Sequence, residues 1–292
     1  MMTSLTLSAD QPFNLDKTLS CGQVFRWAET GKWWSGIVGD RVIRIHQDGD
    51  LLTWEGADDS FIRNYFSLDL DLPAVLSGID RDPVIHQAIE ECRGLRIIRQ
   101  PPWECLVSYI IATFTNIPSI KRRITLLCRE FGNEISCGGE TGYSFPTQEA
   151  LASAEECQVR ACSLGYRAPF LCHVAQAVET NPGWADTVRN LPYEEARTEL
   201  MHYRGVGRKV ADCVLLFGFG RLEAVPVDVW IERIIRQHYL KPGEKAGYEN
   251  IRRYAQGYFG PFAGYAQEYL FCMRNELAKK NETRVSRPPR TR

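Results

Sequence analysis

Tyr203-Arg204-Gly205-Val206-Gly207-Arg208-Lys209-Val210-Ala211-Asp212-Cys213 sets two glycines directly ahead of an apolar helical pattern with a lysine in its first turn. Val210, Val214 and Phe217 recur at helical spacing and mark the buried face of a helix predicted over 209–219. Upstream, Pro192 and the acids Glu194 and Glu195 open a helix over 193–203. A short glycine turn between two helices makes a hairpin. Nineteen residues after Lys209 (228 − 209 = 19), Ala224-Val225-Pro226-Val227-Asp228 opens a third helix over 228–239. Glycines at a helix start let backbone N–H groups approach an anion, and the helix dipole favours negative charge there. A lysine just inside can act as a nucleophile when its charge is suppressed, and a nearby aspartate can move protons. Phosphate grip, amine and carboxylate together suit covalent chemistry on a nucleic-acid sugar.

Each part also has a plainer reading. A Gly-x-Gly turn is a common way to join helices, and Lys209 alone reads as a surface lysine. Asp228 alone reads as an N-cap worth about 1 kcal/mol. Lys209 and Cys213, four apart, share one helix face.

The rest of the chain sets bounds. Its 292 residues allow two ordinary domains, and no apolar run reaches the roughly 18 residues of a membrane span. The N-terminus lacks the basic start and long apolar core of a secretory signal. A net charge of −1 advertises no polyanion partner, so DNA binding has to come from local clusters: Lys121-Arg122-Arg123, Arg204 with Arg208 and Lys209, and Arg252-Arg253. None of the ten cysteines forms a Cys-x-x-Cys pair. Many sit within apolar helical patterns (Cys128, Cys172, Cys213) and read as small buried hydrophobes of a reducing, cytoplasmic protein, with no metal ligand set and no cofactor.

Residues 1–95 read as a β-rich domain. Trp33–Val38 and Arg41–His46 alternate around the tight-turn pair Gly39-Asp40, and Asp48-Gly49-Asp50 leads into Leu51–Trp54. Helices are expected over 58–66 and 83–92. Residues 96–278 read as a helical bundle, with helices over 104–113, 120–131, 168–179 and 251–280 besides those of the hairpin. A surface loop is expected over 138–142 and a helix start at Pro146-Thr147. The fold class is therefore α+β: an N-terminal antiparallel sheet domain and a helical bundle containing a helix-hairpin-helix. Residues 279–292 carry six basic residues against one acid and read as a disordered basic tail.

Gly205-Val206-Gly207-x-Lys209-Val210-Ala211-Asp212-Cys213 and Ala224-Val225-Pro226-Val227-Asp228 closely resemble the helix-hairpin-helix DNA glycosylases, in their 8-oxoguanine DNA glycosylase/lyase branch. The resemblance spans about residues 7–280. It implies base excision from duplex DNA by a monomer, with Lys209 forming a Schiff base and then nicking the strand by β-elimination. Asp228 would stabilise the cationic sugar and assist proton transfer. Gly205, Gly207 and Val210 would cradle a phosphate through their N–H groups. Gly22, in Ser20-Cys21-Gly22-Gln23, matches the glycine whose carbonyl accepts the extra N7–H of 8-oxoguanine. Gln267 would bond the Watson–Crick edge of the flipped base, with Phe271 stacking on one face and Cys213 on the other.

Gly165-Tyr166-Arg167 resembles the segment that contacts the orphaned cytosine. In Phe114-Thr115-Asn116 the chain departs from a run of three asparagines, placing Phe114 at the wedge. Ser119 stands where a second cytosine-reading arginine is found, and Trp230 where a phosphate-binding histidine is common. These departures resemble prokaryotic members and imply a looser choice of opposing base. Some relatives carry a four-cysteine iron–sulfur loop; only Cys272 follows Cys213, so this chain cannot build it. Two readings compete: a monofunctional glycosylase that uses water, and a non-catalytic helix-hairpin-helix DNA-binding module.

Overall fold

In the computed structural model, which describes residues 2–137, 140–241, 243–244, 246–274 and 276–277, the segments around Gly39-Asp40 form the centre of an antiparallel sheet. Its strands are β1 (Thr3–Thr6), β2 (Trp27–Thr30), β3 (Trp33–Val38), β4 (Arg41–Asp48) and β5 (Leu51–Glu55), in the order β1-β5-β4-β3-β2. Trp34 lies opposite Ile45, and Ile45 opposite Trp54. This register turns Trp34, Ile45, Leu52 and Trp54 inward with Ile62 and Phe66. Burying each such side chain contributes about 1.5–3 kcal/mol, and a one-residue slip would turn the whole set to solvent. Helices α1 (Leu15–Ser20) and α2 (Asp59–Tyr65) complete this layer, with the Trp27 indole donating to the Tyr65 hydroxyl at 3.0 Å. β1, β2 and α1 are short, and the sequence pattern did not reveal them; β1 gains its partners only from the distant β5.

Helices α3 (Leu72–Ile79) and α4 (Pro83–Glu91) lead out of this layer into the bundle. It continues with α5 (Pro102–Ile111), α6 (Ile117–Phe131), α7 (Gln148–Ala152), α8 (Glu156–Val159), α9 (Ala168–Glu179), α10 (Trp184–Asn190) and α11 (Tyr193–Met201). The last four are α12 (Arg208–Phe219), α13 (Val229–His238), α14 (Tyr248–Phe259) and α15 (Ala263–Cys272). Asp82, Asn116, Thr147 and Asp228 cap their helices by accepting from first-turn N–H groups.

Three expectations are corrected. The loop at 138–142 includes strand: β6 (Glu134–Cys137) and β7 (Glu140–Tyr143) pair as a hairpin. The helix expected over 251–280 is two helices, because Gly260 adopts φ 71° and Pro261 has no N–H to continue the ladder. Cys92 and Cys272 form a disulfide joining the ends of α4 and α15, so they are not free buried thiols. The expected basic tail over 279–292 lies outside the described residues.

Two walls of one cleft hang on the extended segment 95–100. Gln23 is buried; its amide donates to the carbonyls of Thr18 (3.0 Å) and Arg96 (2.9 Å) and accepts from the Ile98 N–H (2.8 Å). The Gln23 carbonyl in turn accepts from Gln100 (2.7 Å) and from the Tyr109 hydroxyl (3.2 Å). On the other side, the Tyr269 hydroxyl donates to the Leu95 carbonyl at 2.9 Å, and the Tyr265 oxygen accepts from the Ile97 N–H at 3.2 Å. The loop bearing Gly22 and the helix bearing Gln267 are thus fixed to the same strip of backbone.

Candidate active site

The cleft so framed is open to solvent on one side and is lined by Gly22, Gln23, Tyr109, Lys209, Cys213, Phe217, Pro226, Asp228, Gln267, Glu268 and Phe271. It gathers the candidate catalytic pair and all four candidate base-recognition residues into one place. α12 carries Lys209 and Cys213 into it, the α13 cap carries Asp228, and α15 carries Gln267 and Phe271.

Lys209 is half-buried, its Nζ 5.0 Å from the centre of the Tyr109 ring. That ring stacks on Phe217 at 5.5 Å between centres. Tyr109 therefore supports the amine with its face and the Gly22–Gln23 loop with its hydroxyl. Burial pushes the Cys213 thiol up to about 12, although Lys209 beside it pulls the other way. Cys213 stays a neutral thiol near pH 7 and offers an apolar, polarisable face. Asp228 accepts from the N–H groups of Trp230 (3.0 Å) and Ile231 (2.8 Å) through one oxygen. These bonds hold its carboxylate at the positive end of α13, where it also faces the cleft.

Gly22 adopts φ +109°, and a Cβ there would stand 3.1 Å from Ile117 and 3.6 Å from Phe271. The backbone angle calls for glycine, and a Cβ would also crowd the tip of Ile117. The Gln267 Oε1 is buried and has no hydrogen-bond partner.

The hairpin has its own geometry. Gly205 adopts φ +92°, and a Cβ would press to 2.7 Å of Phe170. Gly207, by contrast, adopts φ −91°, and a Cβ there would meet nothing within 4 Å. No side chain caps α12. Its first N–H groups, including that of Val210, are therefore available to an anion approaching over Gly207. Gly205→Ala is expected to cost about 2 kcal/mol or more from the left-handed angle and the clash. Gly207→Ala is expected to melt like wild type and to bind duplex DNA more weakly. Paired melting and binding measurements check both; an equally destabilised Gly207→Ala would contradict this division of labour.

Phe114 is 97% exposed and sits at φ 48°, an angle rare for a bulky residue. It projects from the turn between α5 and α6, just before the Asn116 cap, which accepts from the Ser119 N–H at 3.0 Å. Tyr166 is 49% exposed and meets Phe170 edge-on at 6.2 Å, and Phe170 is the residue that Gly205 packs against. Arg167 is buried: its guanidinium lies 4.4 Å over the Tyr166 ring and donates to the Thr113 carbonyl, next to Phe114. In this state it braces the turn that carries the exposed phenylalanine.

The basic clusters are partly engaged within the protein, and the exposed Arg208 pairs with Glu249 at 3.5 Å. Lys121 donates to the Trp27 carbonyl (2.9 Å), Arg123 to Ser163 and Thr115, and Arg252 is buried in pairs with Glu194 and Glu249. Arg122, Arg204, Arg208 and Arg253 remain exposed. Sequence reasoning also missed Gln23, Tyr109 and Glu268. The signal for Glu268 was present, as the single charge within the otherwise uncharged run Ala263–Cys272. Among the described residues, no group of three or more His, Cys, Asp or Glu could hold a metal ion, and no helix is long and apolar enough to cross a membrane.

Residues 4–106 match the family model of the 8-oxoguanine DNA glycosylase N-terminal domain, and residues 107–261 that of HhH-GPD superfamily base excision DNA repair proteins. The N-glycosylase/DNA lyase of Saccharomyces cerevisiae is 32% identical over 82% of this chain and 71% of its own length. The probable N-glycosylase/DNA lyase of Methanothermobacter thermautotrophicus is 30% identical over 72% of each. Among solved structures, MBOgg1 with a low-affinity DNA ligand superposes with a TM-score of 0.89 at 34% identity, covering 95% of this chain and 96% of that one. The Clostridium acetobutylicum 8-oxoguanine glycosylase/lyase, bound to double-stranded DNA with cytosine opposite 8-oxoguanine, superposes with a TM-score of 0.86 at 28% identity, covering 97% and 98%. With both family models matched in order and relatives aligned along most of their length, the chain belongs to the HhH-GPD superfamily of base excision DNA repair proteins, in its N-glycosylase/DNA lyase branch.

Proposed function

We propose that this protein removes 8-oxoguanine from duplex DNA and then nicks the strand, with Lys209 as the nucleophile. The observation that carries this reading is the single cleft in which Lys209, Asp228, Gly22, Cys213, Gln267 and Phe271 converge. A sugar buried in a duplex reaches such a cleft only if its nucleotide is flipped out. Phe271 and Cys213 then flank the base, and Gln267 bonds its Watson–Crick edge. The Gly22 carbonyl accepts the N7–H of the lesion but faces a lone pair in guanine, a difference of about 1–3 kcal/mol.

The neutral Lys209 amine attacks C1′ and the C1′–N9 bond breaks, the base leaving with the electron pair and taking up a proton. Asp228 stabilises the positive charge that develops on the sugar. The sugar ring opens to a protonated Schiff base on Lys209. Loss of a C2′ proton then expels the 3′ phosphate and cuts the strand. Every group in this scheme comes from one chain, so a monomer suffices. If the resemblance to prokaryotic members holds, the location is cytoplasmic, at the nucleoid.

Borohydride trapping on duplexes with 8-oxoguanine opposite each base tests the reading. A covalent adduct is expected; free base without an adduct would indicate a water-using glycosylase, and neither product a DNA-binding module. With Phe114 at the wedge and Ser119 in place of an arginine, adducts are expected opposite bases besides cytosine.

The strained, exposed Phe114 suits the gap left by a flipped nucleotide, with Tyr166 and Arg167 beside it and Asn116 capping the next helix. Phe114→Ala is expected to leave the melting temperature unchanged, since the ring buries nothing in the free protein. Excision from duplex is expected to fall about tenfold or more, because unstacking costs a few kcal/mol that the wedge helps offset. A variant that excises at the wild-type rate would remove Phe114 from the wedge role.

A further inference from the structure

The base cleft holds an acid that the scheme above does not use. Glu268 is 2% exposed, lines the cleft beside Gln267, and its Oε1 is buried with no hydrogen-bond partner. The Cys21 thiol, from the residue preceding Gly22, lies against it. A buried carboxyl oxygen without a donor is costly, and at the wall of a cleft a bound ligand can supply the missing donor. We propose that Glu268 is a base-contacting residue, whose free carboxylate oxygen accepts an N–H from the edge of the flipped purine that faces Gly22. This rests on the reading of Gly22 and Gln267 given above.

The chemistry selects for 8-oxoguanine. A carboxylate beside Gly22 gains a charge-assisted hydrogen bond from a purine carrying the additional N7–H. Against guanine the same oxygen faces the N7 lone pair and is repelled. The Gly22 carbonyl makes the same distinction with a weaker acceptor, and Gln267 cannot make it, because its amide offers both donor and acceptor.

Protonation gives the proposal a second handle. Burial pushes Glu268 up to about 7, while Cys21, Arg274 and Lys209 pull it down and Asp228 raises it. Tyr109 from α5 and Cys213 from α12 are the other titratable groups facing the cleft, both pushed up by burial. Once protonated, Glu268 can donate to the guanine lone pair, so discrimination weakens as pH falls through this range.

The test is binding to duplexes carrying 2′-fluoro-8-oxoguanine or 2′-fluoroguanine nucleotides, which resist cleavage, between pH 6 and 8. Wild type is expected to lose preference for the lesion toward pH 6. Glu268→Gln is expected to show a preference about ten- to a hundredfold smaller at pH 8, and flat with pH. In parallel, excision of 8-oxoguanine by Glu268→Gln is expected to fall at least about tenfold more than cleavage of a preformed abasic site, which offers no base to contact. That ratio also guards against a simple folding defect, which would lower both together. A wild-type preference that Glu268→Gln retains at every pH would overturn this inference alone. No preference in wild type would overturn the reading of the whole pocket.

Discussion

Replacing Lys209 with glutamine is expected to give a protein that still grips damaged duplex yet forms no borohydride-trapped adduct, with strand cleavage reduced on the order of 10³-fold or more. The amide cannot form an imine, so no residual Schiff-base route survives at this position. Nothing in the fold depends on the amine. Its contact with the Tyr109 face, 5.0 Å to the ring centre, is worth about 0.5–1 kcal/mol at a partly exposed site. The hairpin glycines are untouched by the substitution and keep their N–H groups, so affinity for an abasic-site duplex is expected to change only a few-fold. Melting, binding and cleavage assays on one preparation separate these effects. Release of free 8-oxoguanine by Lys209→Gln at the wild-type rate would show that water carries the excision and would restore the monofunctional reading.

What could be read from the sequence, and what could not, follows the range of the interactions. The β3–β4 hairpin was legible because alternation and the Gly39-Asp40 turn are local signals, and the register follows from them. The α11–turn–α12 unit was legible for the same reason, since acids at its start and glycines at its turn lie within one stretch. Asp228 read correctly as a cap, and its place in the cleft came from resemblance, because no local rule says what a capping carboxylate also faces. Gln23 and Arg96 left no such trace. Arg96 is fully buried and donates to the carbonyls of Ser67 (2.6 Å), Leu70 (2.8 Å) and Pro12 (3.2 Å), partners that have no side-chain signature. The continuous helix expected over 251–280 failed for a different reason. Its helical pattern runs through Gly260-Pro261, but the backbone breaks there, α14 burying one face and α15 buried on all sides from Ala263 to Leu270.

The largest stability effect is expected at Asp212, which lies inside the quoted motif and was given no role by the sequence. It is fully buried and accepts from the hydroxyls of Tyr193 (2.5 Å) and Tyr248 (2.6 Å) and from Arg197 (3.0 Å). Arg197 and Arg252 both continue to Glu249, so the network joins α11, α12 and α14. The Tyr248 oxygen also accepts from the Val227 N–H at 3.4 Å, one residue before Asp228. Asp212 thereby ties the helix of the nucleophile to the segment that delivers its carboxylate partner. Asp212→Ala leaves two phenols without their acceptor and Arg197 with Glu249 alone, which is expected to cost about 3–5 kcal/mol, or a fall in melting temperature of about 10 °C. Burial outweighs these partners and pushes the Asp212 carboxyl above the ordinary aspartate value. The negative charge is thus held at a cost, while the acceptor oxygens are what the phenols need. Asp212→Asn, which gives up the charge and keeps an acceptor, is therefore expected to lose less than half as much stability as alanine. Strand cleavage measured well below the melting point is expected to follow the same order, because the spacing of Lys209 and Asp228 loosens with the network. Equal losses for the two variants would mean that the ion pair with Arg197, and not the pair of phenols, holds the hairpin to the site.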